Sequence, residues 1–177
     1  MNKGQEFVKK KQKISEKDVR EYIFEQFDNL KNTNKIKDLV SFQAMNKYMI
    51  MSHDQKELKI LGNIVASNKK VEFSEILIEY EKHLKKSFEK EPTIKTHSNV
   101  IMHIFGYFSN KFSQKEKEEY FDLLKQFREE KITIGNILSE INPIIYRFNN
   151  TYLASQSYFL LYSDIQPGNL FEILGTK

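Results

Sequence analysis

The stretch THSNVIMHIFGY, residues 96–107, indicates the fold of this chain more clearly than any other. On a helix, one stripe of this stretch carries Asn99, His103 and Tyr107 at intervals of four residues, beside Gly106. Glycine inside a helix costs about 0.5–1 kcal/mol relative to alanine, so we expect another group to pack or bind closely there. The other stripe is apolar and consists of Val100, Ile101, Ile104, Phe105 and Phe108.

Helical periodicity continues on both sides of this stretch, and the six glycines and three prolines leave little room for the turns of a β protein. We therefore predict one all-α domain of about eight helices over residues 14–164. A basic flexible arm is expected at residues 1–13 and an irregular tail at residues 165–177. The pattern predicts one long helix over about residues 35–53 and a last short helix over about residues 151–162.

Three local signals bear on where helices begin. Asp54 lies three residues before Glu57, and Ser113 lies three residues before Glu116, which is the spacing of a capping box. Pro143 interrupts an apolar face that continues on either side of it. Either a helix continues through Pro143 or a new helix begins there, since proline is tolerated at the first helical position.

Composition limits the chemistry available to the protein. The chain has 177 residues, a hydrophobic fraction of 40% and no cysteine, which excludes disulfides, thiolate nucleophiles and iron–sulfur ligation by its own residues. The sequence has no apolar run near the roughly 20 residues that span a bilayer, so we expect a cytoplasmic protein without a membrane partner. The net charge of +4 equals the charge of residues 1–13, where a basic arm suits salt-sensitive contact with nucleic acid or serves as a solubilising leader.

Sequence motifs for known chemistry do not appear. The chain lacks a phosphate-binding glycine loop, and His97 and His103 are six residues apart on different helix faces, which makes a poor metal pair. We therefore predict no catalytic residue, no metal and no cofactor.

Several separated blocks of the sequence resemble the YbgA-like family, a helical domain of unknown function. The resemblance lies in FQAMNKYMIMSH (42–53), LKILGNIVAS (58–67), NVIMHIFGYF (99–108), SQKEKEEYFDLLKQFREEKI (113–132) and YRFNNTYLASQSYF (146–159). Members of this family also occur as the partner half of TudS-type desulfidases, whose other half holds an iron–sulfur cluster on cysteines. The present chain has no cysteine, so the resemblance implies only the accessory role of holding RNA, in particular tRNA.

Candidate binding residues follow from the polar helix positions and from this resemblance. We expect Lys47, His103, Arg128 and Arg147 to contact phosphates or base edges, and Tyr48 and Tyr107 to stack on bases. The full predicted set is Lys47, Tyr48, Asn99, His103, Tyr107, Arg128, Arg147, Tyr152 and Gln156.

Other interpretations of the same residues stay open at this stage. Lys47 suits a half-buried lysine that reaches solvent, His53 suits a helix C-terminus, and the polar side chains from Arg147 to Gln156, including Asn149 and Asn150, suit helix caps. A pocket around His103, Asn99 and Lys47 would indicate a small-ligand or enzymatic domain. A third hypothesis is an adaptor for a separately encoded partner enzyme.

Overall fold

The computed structural model describes residues 14–164, and this part of the chain forms ten α-helices and no β-strand. Eight of the helices have seven residues or more, so the all-α prediction is confirmed. The predicted basic arm and C-terminal tail lie outside the described residues. In chain order the helices are α1 (Glu16–Thr33), α2 (Ile36–Met45), α3 (Lys47–His53), α4 (Gln55–Ala66), α5 (Phe73–Ser87), α6 (Ile94–Phe108), α7 (Gln114–Arg128), α8 (Ile134–Arg147), α9 (Thr151–Ala154) and α10 (Ser157–Tyr162).

Side-chain caps explain where most of the long helices begin. The predicted capping box of Ser113 and Glu116 is present at the start of α7, and equivalent boxes open α1, α6 and α8. Asp54 caps α4 by accepting from the N–H groups of Lys56 and Glu57. The Glu57 side chain does not complete that box, because its carboxylate binds His83 and Lys86 of α5 instead.

Helix α3 lies at the centre of the fold. Every residue from Tyr48 to His53 is buried, and the helix packs against α2, α4, α5, α6 and α10. A seven-residue helix has little stability by itself in water, so this burial is what stabilises it. The arrangement places α3 directly beneath the polar stripe of α6.

The helices predicted over residues 35–53 and 151–162 are each broken in two, and this part of the prediction is wrong. The breaks fall at Asn46 and at Gln156, and they meet in space. Gln156 donates through Nε2 to the Ala44 carbonyl at 2.7 Å and accepts the Tyr48 N–H at 3.4 Å. The hydroxyl of Ser157 donates to Oδ1 of Asn46 at 2.6 Å. Each break therefore satisfies polar groups that the other leaves without a helical partner.

Helix α8 continues through Pro143, which settles the alternative left open by the sequence. The close approach in this helix occurs at Gly135, where an added Cβ would lie 2.0 Å from Oδ1 of Asp164. The Asp164 N–H donates to the Gly135 carbonyl, and its carboxylate accepts from Nδ2 of Asn136 at 2.9 Å. These hydrogen bonds hold the residues that follow α10 against the first turn of α8.

Candidate nucleic-acid interface

The polar stripe predicted on α6 is present on the outside of the molecule. His103 and Tyr107 are exposed and Asn99 is half-buried, with its Nδ2 donating to Oε1 of Gln55 at 3.1 Å. Gly106 is also exposed, and an added Cβ there would meet no atom within 4 Å. Of the two alternatives left open at Gly106, close packing by another part of the described chain is therefore excluded, and the space beside Tyr107 is open.

Three tyrosines from three helices meet at the C-terminal half of α6, and we call Tyr48, Tyr107 and Tyr152 the tyrosine cluster. The rings of Tyr107 and Tyr152 have centroids 6.0 Å apart at an interplanar angle of 31°. The Tyr107 hydroxyl lies near those of Tyr48 and Tyr152. The Tyr107 ring is 42% exposed.

The environment of Tyr48 and Tyr152 keeps their hydroxyl groups protonated. Burial, followed by the proximity of the Tyr107 hydroxyl, raises the pKa of Tyr48 well above its usual range. Burial, followed by the proximity of Tyr107, also raises the pKa of Tyr152. These two side chains therefore offer neutral hydroxyl groups next to the exposed Tyr107 ring.

Two residues predicted to contact a ligand are interior instead. Tyr48 is 1% exposed, so its ring offers no surface for a stacked base. Gln156 is fully buried and its amide is used by the Ala44 carbonyl and the Tyr48 N–H. Both residues position the site: Tyr48 supports Tyr107 from below, and Gln156 joins α9 and α10 to α3.

Lys47 lies beside the cluster as the first residue of α3. Its ammonium is 5.7 Å from the centroid of the Tyr48 ring, within range of a cation–π interaction, and it has no ion-pair partner among the described residues. Half-buried lysines of this kind keep the ammonium in water while the stem packs on the protein. Lys47 is therefore available to an anionic ligand.

The two predicted arginines lie apart from each other. Arg147 pairs with Glu116 in the first turn of α7 and stacks 4.4 Å above the Phe148 ring. Arg128 ends the same helix, and twelve residues at 1.5 Å each place it roughly 18 Å from Glu116. The structure thus brings Lys47, Asn99, His103, Tyr107 and Tyr152 to one face, which we call the tyrosine face. Arg147 is already paired with Glu116, and Arg128 lies at the other end of α7 from that pair.

Charge is distributed unevenly around the tyrosine face. Residues 39–53, 92–115 and 141–163, which contain α3, α6, α9 and α10, have no aspartate or glutamate. They contribute five of the 22 basic side chains of residues 14–164 and none of the 22 acidic ones. Residues 14–164 have no net charge, but their charges are separated. The tyrosine face lies on the stretches without carboxylates, and the other elements carry an excess of carboxylates. Their absence here removes the main repulsion that a phosphate backbone would meet.

The main polar feature missed from the sequence is a buried histidine network formed by His53, His97, Tyr158, Tyr162 and Glu16. Nδ1 of His53 donates to the Lys90 carbonyl at 2.7 Å, and Nδ1 of His97 is 2.6 Å from the Tyr158 hydroxyl. The Tyr162 hydroxyl donates to Glu16 at 2.7 Å. Burial lowers the pKa of both histidines to about 4, so both are neutral at neutral pH. Helical spacing placed His53 and His97 on separate helices, and no local signal joined them.

The described part of the chain contains neither a metal-binding group nor a membrane-spanning helix. Within residues 14–164 no group of three or more His, Asp or Glu side chains is arranged to hold a metal ion. The same residues include no helix that is both long and apolar enough to cross a bilayer.

Comparisons with known proteins place the tyrosine cluster inside a shared domain. Residues 47–163 match the model of a family described as "Protein of unknown function (DUF1722)". The chain is also similar to "Uncharacterized protein YbgA" of Escherichia coli (strain K12), with 22% identity over 125 residues, or 70% of this chain and 74% of YbgA. No solved structure matches the chain. The matched region begins at the first residue of α3 and ends just after α10, whereas α1 and α2 precede it.

Proposed function

The chain belongs to the DUF1722 family, and from its tyrosine face we propose that it is a non-catalytic RNA-binding module. The observation that carries this proposal is an exposed Tyr107, packed against Tyr152, on a face built from elements without a carboxylate. The class of RNA is tRNA, as the resemblance to the accessory half of desulfidases implies.

Stacking supports the proposal through Tyr107 and Tyr152. Aromatic side chains that bind single-stranded nucleic acid contribute about 1–3 kcal/mol per stacked base. The Tyr107 ring packs against that of Tyr152, with centroids 6.0 Å apart, which limits its freedom before binding. The open space over Gly106 allows a base or ribose to approach the helix backbone.

Hydrogen bonding and charge support the same ligand. His103 is exposed and Lys47 has no acidic partner among the described residues, so both can contact phosphate or a base edge. RNA is read mainly through unpaired nucleotides whose bases stack on aromatic side chains. An unpaired loop of a folded RNA therefore fits this face better than a continuous duplex.

A matched pair of aromatic variants tests the proposal. Tyr107 and Phe121 have almost equal exposure, 42% and 43%, but Phe121 lies on α7 against Phe105. We expect Tyr107→Ala to weaken binding of a tRNA or RNA stem–loop by roughly tenfold, the effect of about 1.4 kcal/mol of stacking. Phe121→Ala should leave the affinity unchanged. Equal losses in both variants, or no binding by the unaltered protein at low salt, would refute the proposal.

Salt dependence separates the folded body from the N-terminal lysines. If Lys47, Lys95 and Lys111 each neutralise one phosphate, log K should fall with log salt with a slope of about −2, at about −0.7 per phosphate for a single strand. Any slope beyond about −2 would come from the N-terminal lysines. Replacing Lys3, Lys9, Lys10, Lys11 and Lys13 with glutamine should remove that additional slope and leave the slope of about −2. Salt-independent binding would contradict both contributions.

A further inference from the structure

A cavity lies at the junction of α8 and α9, beside the tyrosine face. It has a volume of about 390 Å³ and is lined by residues between Ile145 and Ser155. Volumes of this size hold small organic ligands. Thr151 of its wall directly precedes Tyr152 of the tyrosine cluster, and α9 is only four residues long. The cavity and the half-buried Tyr152 therefore lie on neighbouring sides of one helical turn.

The lining defines the chemistry of an occupant. None of the seven lining residues is charged, and the walls are mainly apolar. The polar groups include the side-chain amides of Asn149 and Asn150. Side-chain amides can pair with the donor and acceptor edges of a base. Phosphate, metal ions and charged metabolites find no counter-charge in this lining.

The asparagines are placed by the backbone, which leaves side-chain groups for a ligand. Asn149 has φ 50° and closes α8 in a Schellman motif, with its N–H donating to the Tyr146 carbonyl and the Asn150 N–H donating to the Ile145 carbonyl. Oδ1 of Asn150 caps α9 by accepting the Leu153 N–H at 3.0 Å. The Asn149 amide and the Nδ2 group of Asn150 form no hydrogen bond with another described residue.

We propose that this cavity binds one neutral heterocyclic base, turned out of the unpaired RNA segment that lies on the tyrosine face. The inference rests on the proposed RNA-binding function and adds a site of recognition to it. Tyr107 and Tyr152 hold neighbouring bases by stacking, whereas the cavity accepts a single base and contacts its edge through Asn149 and Asn150.

The test combines cavity variants with abasic RNA. In an RNA stem–loop, each loop nucleotide is replaced in turn by an abasic residue, and affinity is measured for the unaltered protein and for Ala154→Phe, which fills the cavity. At one loop position, the abasic replacement should lower the affinity of the unaltered protein about tenfold. The same replacement should not lower the affinity of Ala154→Phe any further. If every abasic position costs both proteins the same, the base does not enter the cavity, although the RNA-binding proposal stands. If the unaltered protein binds no RNA, both proposals fall.

A second variant covers the case in which Ala154→Phe does not fold. Asn149→Gly keeps the left-handed backbone, which glycine adopts without strain, and removes only the amide. The matched control is Asn34→Gly, because Asn34 has φ 53° at the end of α1. Asn149→Gly should bind the intact loop several-fold more weakly than the unaltered protein does. Its affinity for the RNA with the critical abasic position should equal that of the unaltered protein. Asn34→Gly should have the affinity of the unaltered protein for both RNAs. Equal affinities of the two variants for the intact loop would overturn the inference.

Discussion

Gly106→Ala tests whether the space on α6 is kept open for a partner. Gly106 lies inside a helix, has no positive φ, and an added Cβ would meet nothing within 4 Å. Alanine should therefore stabilise the protein by about 0.5–1 kcal/mol, because it restricts the unfolded chain and adds no clash. For a domain of this size the melting temperature should rise by about 1–4 °C.

The assay compares two glycines that differ only in their surroundings. Urea unfolding and thermal melting are measured for Gly106→Ala and for Gly135→Ala, whose Cβ would strike the Asp164 carboxylate at 2.0 Å. Moving that carboxylate breaks its bond with Asn136, so we expect Gly135→Ala to lose roughly 1 kcal/mol. A loss of stability in Gly106→Ala would show that the helix does not have the open space described above.

The RNA affinity of Gly106→Ala should change in the opposite direction to its stability. If RNA lies over Gly106 next to Tyr107, the new methyl group should lower affinity several-fold while the free energy of unfolding increases. Stability and affinity then change in opposite directions, which is what a glycine retained for a partner predicts. A more stable variant with unchanged affinity would remove Gly106 from the interface.

Two further predictions concern stability. Burial lowers the pKa of His53 and His97 to about 4 from 6.5. Between pH 6.5 and 4 the unfolded chain therefore binds more protons than the folded protein. The free energy of unfolding should fall by up to about 3 kcal/mol per histidine as the pH drops from 6.5 to 4. Urea unfolding measured at several pH values checks this fall. The control variant His103→Gln, which changes an exposed histidine, should show the same dependence of the free energy of unfolding on pH. A free energy of unfolding that stays constant between pH 7 and 5 would contradict the prediction. Gln156→Ala should cost about 2–4 kcal/mol by urea unfolding, since it leaves the Ala44 carbonyl and the Tyr48 N–H without their partner, and a loss below 1 kcal/mol would contradict that role.

Local signals were sufficient for most of the fold. The stripe of α1 from Val19 to Leu30 is buried as its spacing predicts, and the capping box at Ser113 marks the true start of α7. These features depend on residues within one or two helical turns, which the sequence shows directly. Pro143 could not be decided in the same way, because whether a helix tolerates it depends on what surrounds its missing N–H.

The site was predictable only along a single helix. The position of Asn99, His103 and Tyr107 on one stripe followed from periodicity, and α6 confirms it. Whether that stripe faces solvent did not follow from the sequence, and the structure shows that His103 and Tyr107 are exposed. Whether Arg128 and Arg147 join that stripe depends on how α7 and α8 pack. Arg147 ends beside Glu116, a residue 31 positions away, and no sequence spacing encodes that pairing.

The wrong helix boundaries and the tyrosine cluster have a common cause. The break at Asn46 places Tyr48 in the first turn of a separate helix that packs on α6, and the break at Gln156 follows the turn that carries Tyr152. Neither break is favoured locally, since both stretches have continuous helical periodicity, and each is stabilised by hydrogen bonds from the other. Local preference conflicts with the final structure at the place where three tyrosines from distant parts of the chain meet. Such conflicts concentrate at functional sites, because a site requires side chains in positions that regular elements alone do not supply.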